Sequence, residues 1–151
     1  MEKRRWGKIL FWAYVILMLW LLFGQRIGSP KAASYQEYFE KVPNMVPLKT
    51  IRHYWDMAMN PEDWSDLVEA AINLLGNVVM FVPLGFFLPL NWEKCRGGVR
   101  WLLWATGIVV LIECTQMVTL LGYLDVDDLI LNLAGAGLGY WIWRFTDRKW
   151  G

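Results

Sequence analysis

The chain has 151 residues, of which 56% are hydrophobic and 11 are Trp, with a formal charge of only +1. Its charges are gathered into short stretches that separate long uncharged runs, and a soluble core of this size has too few polar faces to cover such runs. Composition and pattern together exclude an ordinary soluble domain and predict an all-α membrane protein.

Four transmembrane helices are expected, over about 9–25, 72–90, 101–121 and 129–143. The uncharged runs Ile9–Gln25 and Ala70–Trp92 meet or approach the roughly 20 residues a span needs. Trp101–Ile112 and Cys114–Leu124 make one span interrupted only by Glu113, and Leu129–Trp143 makes the last. The first segment has the basic start and apolar run of a signal peptide. No small-x-small site follows Phe23 directly, although Ala32 and Ala33 lie further on, so an uncleaved first helix is expected.

Between the first two spans, the segment 26–69 is too rich in Tyr, Trp, Phe and Met for a disordered linker. Asn60-Pro61-Glu62-Asp63 reads as a helix start: a capping side chain, Pro in the first turn, then acids at the positive end of the dipole. Trp64, Leu67, Val68 and Ala71 then repeat at helical spacing, which predicts an amphipathic surface helix over 61–71. The second span carries Asn73, Asn77, Pro83 and Pro89. In the fourth, Gly135 and Gly139 form a small-xxx-small face for close helix approach. Cys95 and Cys114 fall in a loop and inside a span, so no disulfide is expected.

Ten of the 15 basic residues lie in 2–8, 93–100 and 144–149, which hold only three acids, Glu2, Glu93 and Asp147. The stretches 26–69 and 122–128 hold five basic residues against ten acidic ones. Basic flanking loops stay cytoplasmic. Both termini are therefore expected in the cytoplasm, with 26–69 and 122–128 outside. Trp6, Trp92, Trp101, Trp104, Trp141, Trp143 and Trp150 cluster at the proposed inner boundary, where indole rings favour the headgroup layer.

Glu113 is the sharpest chemical signal, since a carboxylate inside a span is costly and must find donors or be neutral. Gln116 shares its helix face. Asp125, Asp128 and Asn132 fall at i, i+3 and i+7, on one face, with Asp127 beside them. Only 15 uncharged residues follow Asp128, about 22 Å of helix against a ~30 Å hydrocarbon core. Either the bilayer thins there or the acidic turn is drawn down beside Glu113. The plain alternatives are helix capping for one Asp and interhelical hydrogen bonding for Glu113, Asn73 and Asn77. The expectation is that Asn77, Glu113, Gln116, Asp128 and Asn132 converge on one polar pocket. His53 is a further candidate for proton transfer, although a lone His in such a stretch is most often a surface residue. The sequence holds no nucleophile elbow, phosphate loop, zinc spacing or nucleic-acid motif.

These pieces, in this order, resemble the VanZ-like family of small membrane proteins, named for a teicoplanin-resistance protein. The resemblance is carried by Asn44-Met-Val-Pro47-Leu48-Lys-Thr-Ile51, Gly76-Asn77-Val-Val-Met-Phe81-Val-Pro83-Leu-Gly85, Glu113-Cys-Thr-Gln116 and Asp125-Val-Asp127-Asp128-Leu-Ile-Leu-Asn132-Leu-Ala-Gly135. Two departures stand out. Leu48 occupies a place where the family pattern has Phe. Gly122-Tyr123-Leu124 replaces the basic residue that usually precedes the acidic run, leaving Lys49 or Arg52 to substitute.

The resemblance implies a role at the outer face of a bacterial cytoplasmic membrane, linked in some members to resistance against lipid-bearing glycopeptides. It supplies no reaction. Three readings follow. In the first, the pocket residues Asn77, Glu113, Gln116, Asp125, Asp127, Asp128 and Asn132 bind the headgroup of a lipid-linked cell-wall precursor or a lipoglycopeptide. In the second, a membrane enzyme uses Glu113 as general base, with a divalent cation held at Asp125 and Asp128. In the third, Glu113 relays protons in a coupled transporter.

Overall fold

The structure, a computed structural model, describes residues 2–28, 31–32, 34–40 and 45–150. Asn44 and Ala33 lie outside the described residues. Among these, the regular elements are helices: α1 (Glu2–Leu22), α2 (Tyr35–Glu40), α3 (Lys49–Met59), α4 (Trp64–Ala71), α5 (Asn77–Asn91), α6 (Gly98–Val118) and α7 (Val126–Trp150). Among the described residues, three helical stretches are long and apolar enough to cross a membrane: Arg5–Arg26, Trp64–Asn91 and Gly98–Val118. This is a membrane protein.

Several boundaries differ from the hydropathy reading, each for a local reason. α1 begins at Glu2 rather than near Ile9, because Lys and Arg are good helix formers and do not end a helix as they end an apolar run. Asn60 does not start a helix; it closes α3, its N–H donating to Asp56 O at 3.0 Å. The residue before Pro is steered out of the α region. Asp63 is the cap of α4 instead, its Oδ1 accepting from Ser65 Oγ (2.6 Å), Ser65 N (2.7 Å) and Asp66 N (3.3 Å). The side-chain bond from Ser65 and then the two backbone bonds hold the Asp63 carboxyl below the usual carboxylate range. This cap therefore contributes fully at pH values above the usual range and is lost as pH falls below that range, through the lowered value.

α4 runs into α5 without a break through a π-helical turn, Ile72–Gly76, so Trp64–Asn91 is one helical stretch of 28 residues. The third span ends at Val118, not 121: Leu120 turns into the left-handed region (φ 56°), and Leu121 N–H donates back to Gln116 O at 3.0 Å. α7 is longer than the 129–143 of the apolar run, because Asp125 starts it and its basic end remains helical. The sequence reading left α2 and α3 unassigned.

α5 lies at the centre and packs on α1, α6 and above all α7. Tyr14 of α1 donates to Met80 O at 2.9 Å, tying those two helices. The α5–α7 contact is backbone against backbone. A Cβ on Gly135 would overlap the Val78 carbonyl, one on Gly139 the Val82 carbonyl, and one on Gly85 the Ala136 carbonyl. The small face of α7 is thus matched by a small residue on α5.

Two clusters define the ends of the bundle. Asn91 Nδ2 donates to Gly7 O (3.3 Å), Phe11 meets Trp92 edge to face (4.8 Å), and Tyr140 donates to Arg96 O (2.9 Å). The start of α1, the 92–97 hairpin and the later turns of α7 therefore share one end. At the other end Lys31 and Tyr38 hold to the α6–α7 turn: Lys31 N bonds Leu120 O (2.8 Å), Tyr123 OH bonds Lys31 O (2.8 Å), and buried Tyr38 accepts from Leu124 N (2.6 Å) while stacking on Tyr123. The three basic stretches thus fall at one end and the acidic ones at the other.

Candidate functional site

The acidic run divides its labour. Asp125 caps α7: its Oδ1 accepts from Asp127 N at 2.8 Å, and its Oδ2 accepts from Thr50 Oγ1 at 2.6 Å. Asp127 is completely buried, and its carboxylate accepts from the backbone N–H groups of Leu48, Thr50 (2.7 Å) and Ile51 (3.1 Å). It therefore caps α3, a helix nearly eighty residues upstream whose own cap residue, Leu48, has no capping side chain and a positive φ of 67°. Asp127 does the work of an N-cap from another element. Asp128 points the other way, accepting from Asn77 Nδ2 at 2.7 Å.

One turn deeper, Asn132 Nδ2 donates to Glu113 Oε1 at 3.1 Å. Both side chains are nearly closed off, at 2% and 4% exposure, and each keeps one polar atom without a hydrogen-bond partner: Glu113 Oε2 and Asn132 Oδ1. Two unpaired acceptors so deep carry a desolvation penalty that a donor brought into the site would relieve.

Both groups line a cavity of about 690 Å³ between α1, the 72–83 stretch and the α6–α7 turn. Asn77, Glu113, Gln116, Asp128 and Asn132 all border it, and so do Asn73 and Asp125. Asp127 does not border it, since its oxygens are taken up by α3. His53 lies exposed on α3 against Tyr54, with ring centroids 5.1 Å apart, and also stands off the cavity. Among the described residues no group of three or more His, Cys, Asp or Glu is arranged to hold a metal ion. Asp125 and Asp128 supply two carboxylates, with Asp125 already engaged by Thr50 and the α7 backbone.

The cations of the site were missed by sequence reasoning. Arg26, just after α1, borders the cavity, and its Nη1 donates to Leu121 O at 3.2 Å. Its charge reaches both Glu113 and Asp128. Lys31 borders it too, whereas the expected substitutes Lys49 and Arg52 do not. Gly122 explains the approach: a Cβ there would lie 3.1 Å from the Gln116 side chain and 3.2 Å from Arg26 Nη1. The only sequence signal was that Arg26 is the first charge after an uncharged span.

No curated protein and no solved structure compared with the chain matches it. The family comparison is decisive by contrast. The sequence model of the VanZ/LLP1 family matches residues 11–147 and so takes in α5, α6, most of α7 and every residue that lines this cavity. The chain belongs to the VanZ/LLP1 family.

Proposed function

We propose that this protein binds the headgroup of an envelope amphiphile, a lipid-linked cell-wall precursor or a lipoglycopeptide, in the cavity, which opens in the outer leaflet of a bacterial cytoplasmic membrane. The observation that carries this reading is the composition of the cavity wall. Acidic, amide and basic side chains line it together with apolar ones, among them the exposed Leu17, Leu21, Ile72 and Val79. A headgroup suits the first and an acyl chain the second. α7 serves as the fourth span, held against α5 by the glycine contacts. α3 and α4 form a helical pair in the outer headgroup layer, where exposed Trp55, Met59, Trp64 and Val68 find their partners in lipid.

Function should split by position in cells that depend on the protein for tolerance of teicoplanin. Glu113→Ala and Asp128→Ala abolish protection while the protein still inserts, and Asp147→Ala, exposed at the other end, leaves it unchanged. Glu113→Gln keeps shape and much of the binding. Complete loss in Glu113→Gln with full insertion would instead indicate proton chemistry at this carboxyl and remove the binding reading.

The orientation has its own test. Cys95 is an unsuitable reporter, because it is buried and burial pushes its thiol up, so it resists alkylation on either side. With both native cysteines replaced, Ser34→Cys reacts with an impermeant maleimide in intact cells, and Lys94→Cys reacts only after permeabilisation. The reverse pattern would place the cavity on the cytoplasmic side.

A further inference from the structure

Resting only on the reading of the cavity as an amphiphile site, and departing from the precursor and the lipoglycopeptide as its occupant, we infer that its ligand carries a primary ammonium group next to a phosphate, as in an ethanolamine-type phospholipid. The ammonium goes to Glu113, Asn132 and Asp128, the phosphate to Arg26 and Lys31, and the acyl chains leave sideways between α1 and the 72–80 stretch.

Three observations lead to this assignment. Glu113 and Asn132 line the cavity, and each keeps one acceptor without a partner, Oε2 and Oδ1, on side chains more than nine-tenths buried; both atoms are covered in this structure, so the ammonium meets them once the two side chains turn toward the cavity. A hydroxyl brings one donor to such a pair, whereas a primary ammonium brings three together with a positive charge. Asp128, held by Asn77 at 2.7 Å, adds negative charge at the same wall. A quaternary ammonium has the charge without the N–H groups and leaves both acceptors unpaired.

The second observation is that the cations lie in the same cavity. Arg26 spends one N–H on Leu121 O at 3.2 Å, and the guanidinium carries five. Lys31 is fixed through its backbone, by its N–H to Leu120 O and by its carbonyl from Tyr123 OH. A purely cationic ligand would be repelled by this pair and a purely anionic one by the carboxylates, so a zwitterion matches both walls.

The third is the rim. Leu17 and Leu21 on one side and Ile72 and Val79 on the other are well exposed while bordering the cavity, with Val79 at 65%. The site therefore opens laterally, at a face that meets lipid in a membrane.

The test uses the full-length protein released from nanodiscs that hold equal amounts of ethanolamine, choline and glycerol phospholipids of one acyl composition, with retained lipid counted by native mass spectrometry. The expected result is about tenfold preference for the ethanolamine lipid over both others, the size of one charge-assisted hydrogen bond. Glu113→Gln should retain lipid but bring the preference below about twofold. Arg26→Gln should weaken retention of all three lipids alike and keep the preference. Val79→Trp, which narrows the rim, should reduce total retention. Equal retention of the three lipids by the unaltered protein overturns the headgroup assignment, and is the result expected if a proton shared between Glu113 and Asn132 satisfies both acceptors internally. An unchanged preference in Glu113→Gln also overturns it. In both of those outcomes retention that falls in Val79→Trp leaves the amphiphile site standing, whereas no retained lipid in any variant removes both readings.

Discussion

Asp127→Ala should cost this protein about 3–5 kcal/mol, a large part of the total stability of an ordinary domain. The carboxylate is fully buried and receives three backbone N–H groups at the start of α3. Truncation leaves those donors facing an apolar gap, and no side chain of α3 can replace the lost acceptor, because its cap residue is Leu48. Leu48 itself sits at a positive φ of 67°, a conformation that costs an L-residue roughly 1–2 kcal/mol and persists only while its surroundings enforce it. Loss of the Asp127 bond removes that enforcement, so α3 should fray from its first turn and loosen the cavity wall that Thr50 and Tyr54 supply. Thermal unfolding in detergent should fall by about 10 °C. Asp127→Asn, which keeps one acceptor oxygen, should lose less than half of that. The neighbouring Asp128→Ala removes a single bond to Asn77 and should unfold within a few degrees of the parent while losing binding. Equal melting of Asp127→Ala and Asp128→Ala would contradict the division of labour within the acidic run.

Gly139→Leu should prevent the α5–α7 pair from forming. A single Cβ at Gly139 already overlaps the Val82 carbonyl and lies 2.8 Å from Phe86 N, and both are backbone atoms that cannot rotate away. The helices must separate, and separation forfeits the contacts that Gly135 makes with Val78 and Gly85 makes with Ala136. Inside a membrane, where apolar side chains gain nothing by leaving lipid, such close packing is the main source of helix association. Overpacking an ordinary core costs about 1–3 kcal/mol. Here several backbone contacts are lost together, so even Gly139→Ala should reach the top of that range. Leu should leave the protein inserted but degraded or aggregated. Gly137, two residues away on the opposite side of α7, has nothing within 4 Å of the same ideal Cβ. Gly137→Ala should therefore be silent or slightly stabilising, through the better helix propensity of Ala. Similar losses at 137 and 139 would show that glycine content, and not the α5–α7 contact, matters.

The sequence alone sufficed for properties that depend on transfer into lipid and on position along one helix. An uncharged run is a statement about solvation, so the all-helical membrane class followed from it. The family could be read from short motifs in order. The pairing of Glu113 with Asn132 was anticipated because each sits at a countable depth in its own helix, and a buried carboxyl must find a donor. The small face of Gly135 and Gly139 announced that some helix would come close. Tertiary structure alone decided the rest. It made α5 the partner of that face, through the matching gap at Gly85. It turned Asp127 away from the cavity to cap α3, a role set by a contact between residues nearly eighty positions apart, which no local spacing encodes. It also brought Arg26 and Lys31 to the site, because their place beside Glu113 is fixed by their bonds to Leu121 and Leu120 in the α6–α7 turn and not by anything adjacent to them in the chain.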